Sequence, residues 1–89
     1  KILDVSRNNL TDFNFDFTKI EHLTTLNLSS NLITSFNVKS SSIHVLDLSQ
    51  NKISNFPELP TCVMDLKMSK NQIKDIPGDL KLPNLKNLD

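Results

Sequence analysis

One cysteine and two histidines are the side chains of this sequence that could support catalysis or metal binding. They are Cys62, His22 and His44. A thiol paired with an imidazole could act as a nucleophile, but the sequence offers neither an orienting acid nor an oxyanion donor motif. A metal would need at least one further ligand close by, which the spacing does not provide. We therefore expect no enzyme, no metal site and no cofactor, and we interpret Cys62 as a small, partly buried residue.

Two Asn-x-Ser/Thr sequons are candidates for modification. They are Asn9-Leu10-Thr11 and Asn27-Leu28-Ser29, and glycosylation at either would indicate a secreted protein. The sequon at Asn27 also has a simpler explanation, because the repeated L-x-L-S pattern creates a sequon whenever its variable position x is asparagine. We expect Asn9 to be exposed just beyond a strand.

The composition excludes several classes of function. Ten Lys and Arg balance ten Asp and Glu, and the two signs alternate along the chain, so nothing favours nucleic acid or anionic lipid as a partner. A single glycine, Gly78, rules out a glycine-rich phosphate loop. No apolar run approaches the roughly 20 residues that span a bilayer, and no signal peptide opens the chain.

The chain is built from a repeated pattern. LDVSRNNLTDF at 3–13 returns as LNLSSNLITSF at 26–36, LDLSQNKISNF at 46–56 and LKMSKNQIKDI at 66–76. A residue pattern that recurs at nearly constant spacing indicates one small structural unit whose copies stack on one another. The alternating x-L-x-L core has the period of a strand, so each copy predicts one short strand, and all the strands run parallel.

One asparagine in each copy is predicted to form a ladder through the stack. The four are Asn8, Asn31, Asn51 and Asn71, at intervals of 23, 20 and 20 residues. Their amides can satisfy backbone groups where the chain turns out of each strand. The residues between the leucines and before the asparagines then form an outward, concave face: Asp4, Arg7, Thr25, Asn27, Val45, Asp47, Gln50, Asp65, Lys67 and Lys70. Because this face is mixed in charge and has no Trp or Tyr, a solvated scaffold is the interpretation favoured over a strong binding epitope.

The returns between strands are short. We predict extended or 3₁₀ connections where prolines follow the repeat, and one helical turn over 18–22 in the longer first copy. Phe13, Phe36 and Phe56 should stack one repeat apart.

These residues match the leucine-rich repeat signature LxxLxLxxNxL, and the chain resembles leucine-rich repeat proteins from end to end. The resemblance implies an α/β repeat solenoid of right-handed sense, with short parallel strands on the concave face. LNLSSN, LDVSRNNL and MSKNQIKDIPGDLKLPNLKNL resemble the C-terminal part of a Toll-like receptor ectodomain of the lipopeptide-sensing branch. Bacterial effectors with 20-residue repeats are the alternative, since LPTCVMDLKMSKNQI resembles their LP-containing returns.

The first resemblance implies a scaffold segment of a pattern-recognition receptor on the extracellular side of a single-pass membrane protein. Its partner would be another receptor chain of the same family, with microbial ligand bound outside this segment and dimerisation as the signal. The alternative implies an intracellular interaction module, such as the substrate-recognition domain of a bacterial effector ubiquitin ligase. Related receptors carry disulfides among their repeats, so Cys62 is either free or paired with a cysteine outside the segment.

We expect residues 1–89 to form one solenoid segment with three complete repeats and a partial repeat at each end. Lys1 and Asp89 fall inside predicted strands and no polar cap is evident. Because each repeat buries its apolar face against its neighbours, the segment alone should show little cooperative melting.

Overall fold

The structure, a computed structural model, describes residues 1–74 and 82–89. It consists of strands joined by turns and loops. The strands are β1 Ile2–Asp4, β2 Asp12–Asp16, β3 Thr25–Asn27, β4 Ser35–Lys39, β5 Val45–Asp47, β6 Asp65–Lys67 and β7 Asn87–Leu88.

The main sheet has five parallel strands in the order β1-β3-β5-β6-β7. Its register pairs Leu26 with Leu3 on one side and with Leu46 on the other, and the leucines continue through Leu66 to Leu88. Consecutive copies of the repeat therefore lie side by side, as the period-2 pattern requires. The chain is a parallel β-solenoid of about four turns, so the parallel stacking predicted from the repeat is confirmed.

The core lies behind this sheet and is filled by the repeated aliphatic positions. Complete burial of a leucine or isoleucine stabilises the fold by about 1.5–3 kcal/mol relative to an exposed side chain. The side chains with almost no exposure are Leu26, Leu28, Ile33, Ile43, Leu46, Leu48, Ile53, Val63 and Leu66. All of them come from the inner rungs, which have a neighbouring repeat on each side, so each rung depends on its neighbours for burial.

A second, two-stranded sheet forms on the opposite side of the solenoid. β2 and β4 pair in parallel over five residues, from Asp12 opposite Ser35 to Asp16 opposite Lys39. Extended connections are predicted above only where prolines follow the repeat, so the pairing of these two proline-free returns as strands was not predicted. The next return contains Pro57 and Pro60 and forms no strand, because proline has no N–H to donate to a ladder.

The predicted phenylalanine stack is present between the first two copies. The rings of Phe13 and Phe36 lie 6.2 Å apart between centroids and 11° from parallel. The half-buried Phe56 packs against the core but forms no ring pair among the described residues. The stack is therefore shorter than the three rungs predicted.

The helical turn predicted over 18–22 is wrong. The Asp16 carboxylate accepts hydrogen bonds from the backbone N–H and the hydroxyl of Thr18, and the N–H of Phe17 bonds Lys39 in the next repeat. These bonds draw the start of the segment away from helical pairing, so it forms two turns. The described residues contain no helix, so the α component of the α/β prediction finds no support in them. The right-handed sense stays a prediction.

Candidate functional site

The four repeated asparagines lie on adjacent rungs and bond across them. The side-chain NH₂ of Asn31 donates to carbonyls of its own turn and to the carbonyl of Val5 in the previous repeat, at 3.0–3.2 Å. Its Oδ1 accepts the backbone N–H groups of Asn8 and Leu10. Asn51 and Asn71 repeat the arrangement. In Asn31, Asn51 and Asn71 both sides of the amide thereby hold adjacent turns together, whereas the Asn8 side chain bonds only within its own turn. The ladder has a structural role.

The outward residues of the five-stranded sheet form what we call the strand face, which is the predicted concave face. Thr25, Val45 and Asp65 are consecutive neighbours in one column. A second column contains Asp4, Asn27, Asp47 and Lys67. At the last rung, the side-chain amide of Asn87 bonds the Asp65 carboxylate. The structure thus brings together the strand residues predicted from the repeat.

Three members of the second column are held in place by the serine two residues later. The Oδ1 of Asp4 accepts the backbone N–H of Ser6 at 2.9 Å and its hydroxyl at 2.6 Å, and Asn27 and Asp47 make the same pair of bonds. These bonds from Ser6 lower the pKa of Asp4 below its usual value, with a smaller contribution from the charge of Arg7. The carboxylate is therefore charged and fixed in direction at neutral pH.

Lys67 breaks this column. An ammonium group cannot accept a hydrogen bond, so the turn at Ser69 lacks the carboxyl or amide acceptor that the three other turns have. This column therefore presents a carboxyl or amide acceptor on each of its first three rungs and a cation on the fourth.

A rim of four residues borders the strand face, one per repeat. Arg7, Ser30, Gln50 and Lys70 all have positive φ, between 55° and 58°. Non-glycine residues pay a steric cost in this left-handed region. The geometry is maintained because the N–H groups of Arg7, Ser30 and Gln50 each bond the carbonyl of a serine in the next repeat, at 2.9–3.0 Å. The rim side chains are therefore displayed by a backbone with little freedom.

The rim and the strand face enclose a polar concavity of about 530 Å³ over the first three rungs. The Ser30 hydroxyl donates to the Gln50 side-chain oxygen at 2.7 Å and closes part of its edge. The lining residues are Asp4, Ser6, Arg7, Asn27, Ser29, Ser30, Ser49 and Gln50. Donors and acceptors alternate in this set, which suits the polar surface of a protein better than an apolar small molecule.

The two sequon asparagines occupy different environments. Asn9 is exposed in the loop after the rim, whereas Asn27 is half-buried in β3. The Asn27 side-chain oxygen accepts two bonds from Ser29, which is the serine of its own sequon. A glycan on Asn9 would leave these contacts untouched. Glycosylation of either residue stays a prediction.

Cys62 belongs to another column of polar side chains, separate from those of the strand face, with Ser42 one repeat earlier and Asn84 one repeat later. This column was not predicted from the sequence. The Cys62 sulfur contacts the Ser40 carbonyl at 3.6 Å. One repeat earlier the Ser42 hydroxyl bonds Leu23 at 2.7 Å, and one repeat later the side-chain amide of Asn84 bonds Thr61 at 3.1 Å. Burial raises the pKa of the half-buried Cys62 thiol, which opposes thiolate formation. The free or disulfide-bonded state of this cysteine stays a prediction.

The two histidines do not join Cys62 in a cluster. His22 and His44 are both exposed, and the residues described here contain no group of three or more His, Cys, Asp or Glu arranged to hold a metal ion. No helix in 1–74 or 82–89 is long and apolar enough to cross a membrane.

Comparison with known families gives two matches. One leucine-rich repeat model matches residues 19–35, and a second leucine-rich repeat model matches residues 42–63. These segments contain β3 and β5 with the ladder residues Asn31 and Asn51 that adjoin them. No curated protein and no solved structure matches the chain.

Proposed function

We propose that this leucine-rich repeat protein is an interaction module that binds a protein partner through its strand face and rim. The observation that carries the proposal is the polar concavity over the first three rungs. Its carboxylates and amides are held by serine bonds, and its rim backbone by bonds to the next repeat. Such groups lose little further freedom on binding, which lowers the entropic cost of association.

The proposal extends to the class of receptor. The module is a scaffold and recognition segment of an extracellular pattern-recognition receptor of the Toll-like type, on the cell-surface side of a single membrane span. Its partner is a second receptor chain, and microbial ligand binds outside the segment. The supporting observations are the resemblance of LNLSSN and LDVSRNNL to that family and the exposed sequon at Asn9.

Two features favour the alternative, an intracellular module such as the substrate-recognition domain of a bacterial effector ubiquitin ligase. The return at 57–60 has prolines at both ends, as the LP-containing returns of those repeats do. The last two intervals between ladder asparagines are both 20 residues, which is the repeat length of those effectors.

Glycosylation separates the two classes. The full chain expressed through the secretory route of animal cells should carry a mass increment that glycosidase removes, and Asn9→Gln should abolish most of it. Asn27→Gln is the matched control, and it should remove less because Asn9 is the exposed acceptor. An unmodified wild-type chain from secretory cells would contradict the receptor assignment.

The binding surface is tested by two arginine substitutions. Val45→Arg adds a bulky charge to the strand face, and Asn37→Arg adds the same side chain to the exposed side of β4. Covalent capture between the tagged chain and a differently tagged second copy on the same cells should fall for Val45→Arg and persist for Asn37→Arg. Equal capture by both variants would remove the strand face from the proposal.

A further inference from the structure

A third surface consists of the rim together with the turn residues beyond it, where the chain leaves the strands. This lateral face contains every second residue of the four turns: Arg7, Asn9, Thr11, Ser30, Leu32, Thr34, Gln50, Lys52, Ser54, Lys70, Gln72 and Lys74. All of them are exposed except the half-buried Ser30. Four of these twelve residues are cations and none is acidic.

The fold creates this charge separation from a chain whose charges balance. Along the sequence the signs alternate and the total is zero. Backbone bonds of 2.9 Å from Leu32 to Leu10, from Lys52 to Ile33 and from Gln72 to Ile53 stack the turns in register beyond the strands. Three acidic residues then fall on the strand face, Asp4, Asp47 and Asp65, together with one lysine, Lys67. The lateral face by contrast contains cations and no acidic residue among its twelve members.

The cations are concentrated on the last two rungs of the lateral face. Lys52 lies on the third rung, and Lys70 and Lys74 lie on the fourth. Adjacent rungs of a sheet are about 4.8 Å apart, so one short segment of a partner can reach all three. Arg7 stands two rungs from Lys52 and three from Lys70, roughly 10 Å and 14 Å at that spacing, and its charge is partly offset by Asp4.

Leu32 supplies an apolar contact next to this group. It lies on the second rung with 39% of its surface exposed, the one large hydrophobic side chain exposed among the twelve residues of the face. An apolar residue surrounded by polar and charged ones is the usual anatomy of a small protein interface. The charge and the apolar contact therefore occur together on rungs two to four.

We infer that the lateral face binds an acidic segment of a protein partner, with an apolar residue of that segment packed on Leu32 and its carboxylates beside Lys52, Lys70 and Lys74. Charge complementarity selects the acidic partner, because none of the twelve named residues of the face is a carboxylate that would compete for the lysines. A nucleic acid fits less well, since the face has no aromatic side chain on which a base could stack. This surface shares the rim residues with the proposed binding surface, but the inference is argued from the lysines and Leu32 and does not rest on the proposed function.

The test uses a fluorescently labelled, glutamate-rich peptide with one central leucine, and the same peptide with glutamine in place of glutamate. Fluorescence anisotropy should show binding of the glutamate peptide to the full chain and weakening with added salt. Lys52→Glu should raise its Kd about tenfold, since reversing one exposed charge replaces an attraction by a repulsion. Leu32→Ser should raise the Kd in low and high salt alike, because the contact is apolar.

Lys39→Glu is the matched control. It makes the same change in net charge on the exposed side of β4, and it should alter the Kd less than about twofold. An equal loss in Lys39→Glu and Lys52→Glu would show that binding follows net charge alone and would overturn the inference. So would tighter binding of a single-stranded oligonucleotide to the same face, or no binding of the glutamate peptide up to about 1 mM. Circular dichroism of each variant separates loss of binding from loss of fold, and a second substitution, Lys74→Gln, tests the site if Lys52→Glu does not fold.

Discussion

Replacing Asn51 by alanine should remove one full rung of the asparagine ladder. The side chain is buried, with 6% of its surface exposed. Its NH₂ group donates to the carbonyls of Leu28, Leu48 and Ser49 at 3.0–3.1 Å, and its oxygen accepts the Ile33 N–H at 3.0 Å. Alanine supplies none of these groups, so backbone donors and acceptors are left without partners inside the solenoid.

The magnitude follows from counting hydrogen-bonding groups. Two N–H donors and one oxygen, each contributing about 1 kcal/mol net, predict a loss of about 3 kcal/mol in the free energy of unfolding. A chain of 89 residues has roughly 4–13 kcal/mol in all, at 0.05–0.15 kcal/mol per residue. The substitution should therefore remove a large fraction of the total stability.

Two measurements check this prediction. The urea midpoint, followed by circular dichroism, should fall sharply, and the Ile33 amide should lose its protection against hydrogen exchange. Asn8→Ala is the matched control, because the Asn8 side chain is exposed and bonds only Val5 and Ser6 of its own turn, while its backbone bond to Asn31 is kept in the variant. It should cost less than about 1 kcal/mol. Equal losses in the two variants, or an Ile33 amide that stays protected in Asn51→Ala, would refute the ladder as the source of stability.

Three further predictions concern the strand face and the rim. Lys67→Asp should stabilise the chain by about 0.5–1 kcal/mol by giving Ser69 the acceptor that other turns have, whereas Lys67→Ala should not; urea midpoints that rank the other way would contradict this. Lys70→Gly should raise the midpoint by relieving the left-handed strain, by about 1 kcal/mol, and Lys70→Ala should not; equal midpoints would show the strain to be negligible. The pKa of Asp4 is lower in the folded state than its unfolded value of 3.8. Its contribution to the free energy of unfolding is therefore present above pH 3.8 and is lost as the pH falls through the folded pKa. Asp4→Asn keeps the acceptor for Ser6 and should remove this contribution from an acid titration followed by NMR.

The strands and the ladder could be predicted because they depend on identities that recur at every copy. Leu26 and Leu46 alternate with polar residues in a way that fixes both strand and face, and an asparagine at the end of each strand has one use in a stacked turn. The second sheet was missed because the alternation of buried and exposed residues is regular in β4 but not in β2, where Phe15 is exposed opposite the buried Val38. The helical turn was wrong because the bond from Thr18 to the Asp16 carboxylate competes with helical pairing.

The rim could not be recognised from residue type. Glycine or asparagine usually occupies a position with left-handed backbone geometry. In this chain the four such positions are occupied by Arg7, Ser30, Gln50 and Lys70. The bonds from rim N–H groups to serines of the next repeat impose the conformation, and those bonds exist only after stacking. The strain is therefore a property of the assembled rungs.

Charge patterning shows the same dependence on stacking and has the larger consequence for function. Read along the sequence, the alternation of sign predicts no charged surface. In a repeat of about 20 residues, equivalent positions of successive copies lie side by side in columns. Two opposite charges a few residues apart can therefore lie on different faces. Lys52 and Lys70, which are 18 residues apart in the sequence, lie on adjacent rungs of one face. In a solenoid the relevant charge pattern is thus the one summed over equivalent positions. Summed in that way, a chain with no net charge presents three carboxylates and one lysine on its strand face and four cations on its lateral face, which is the basis for proposing partners of different chemistry at the two surfaces.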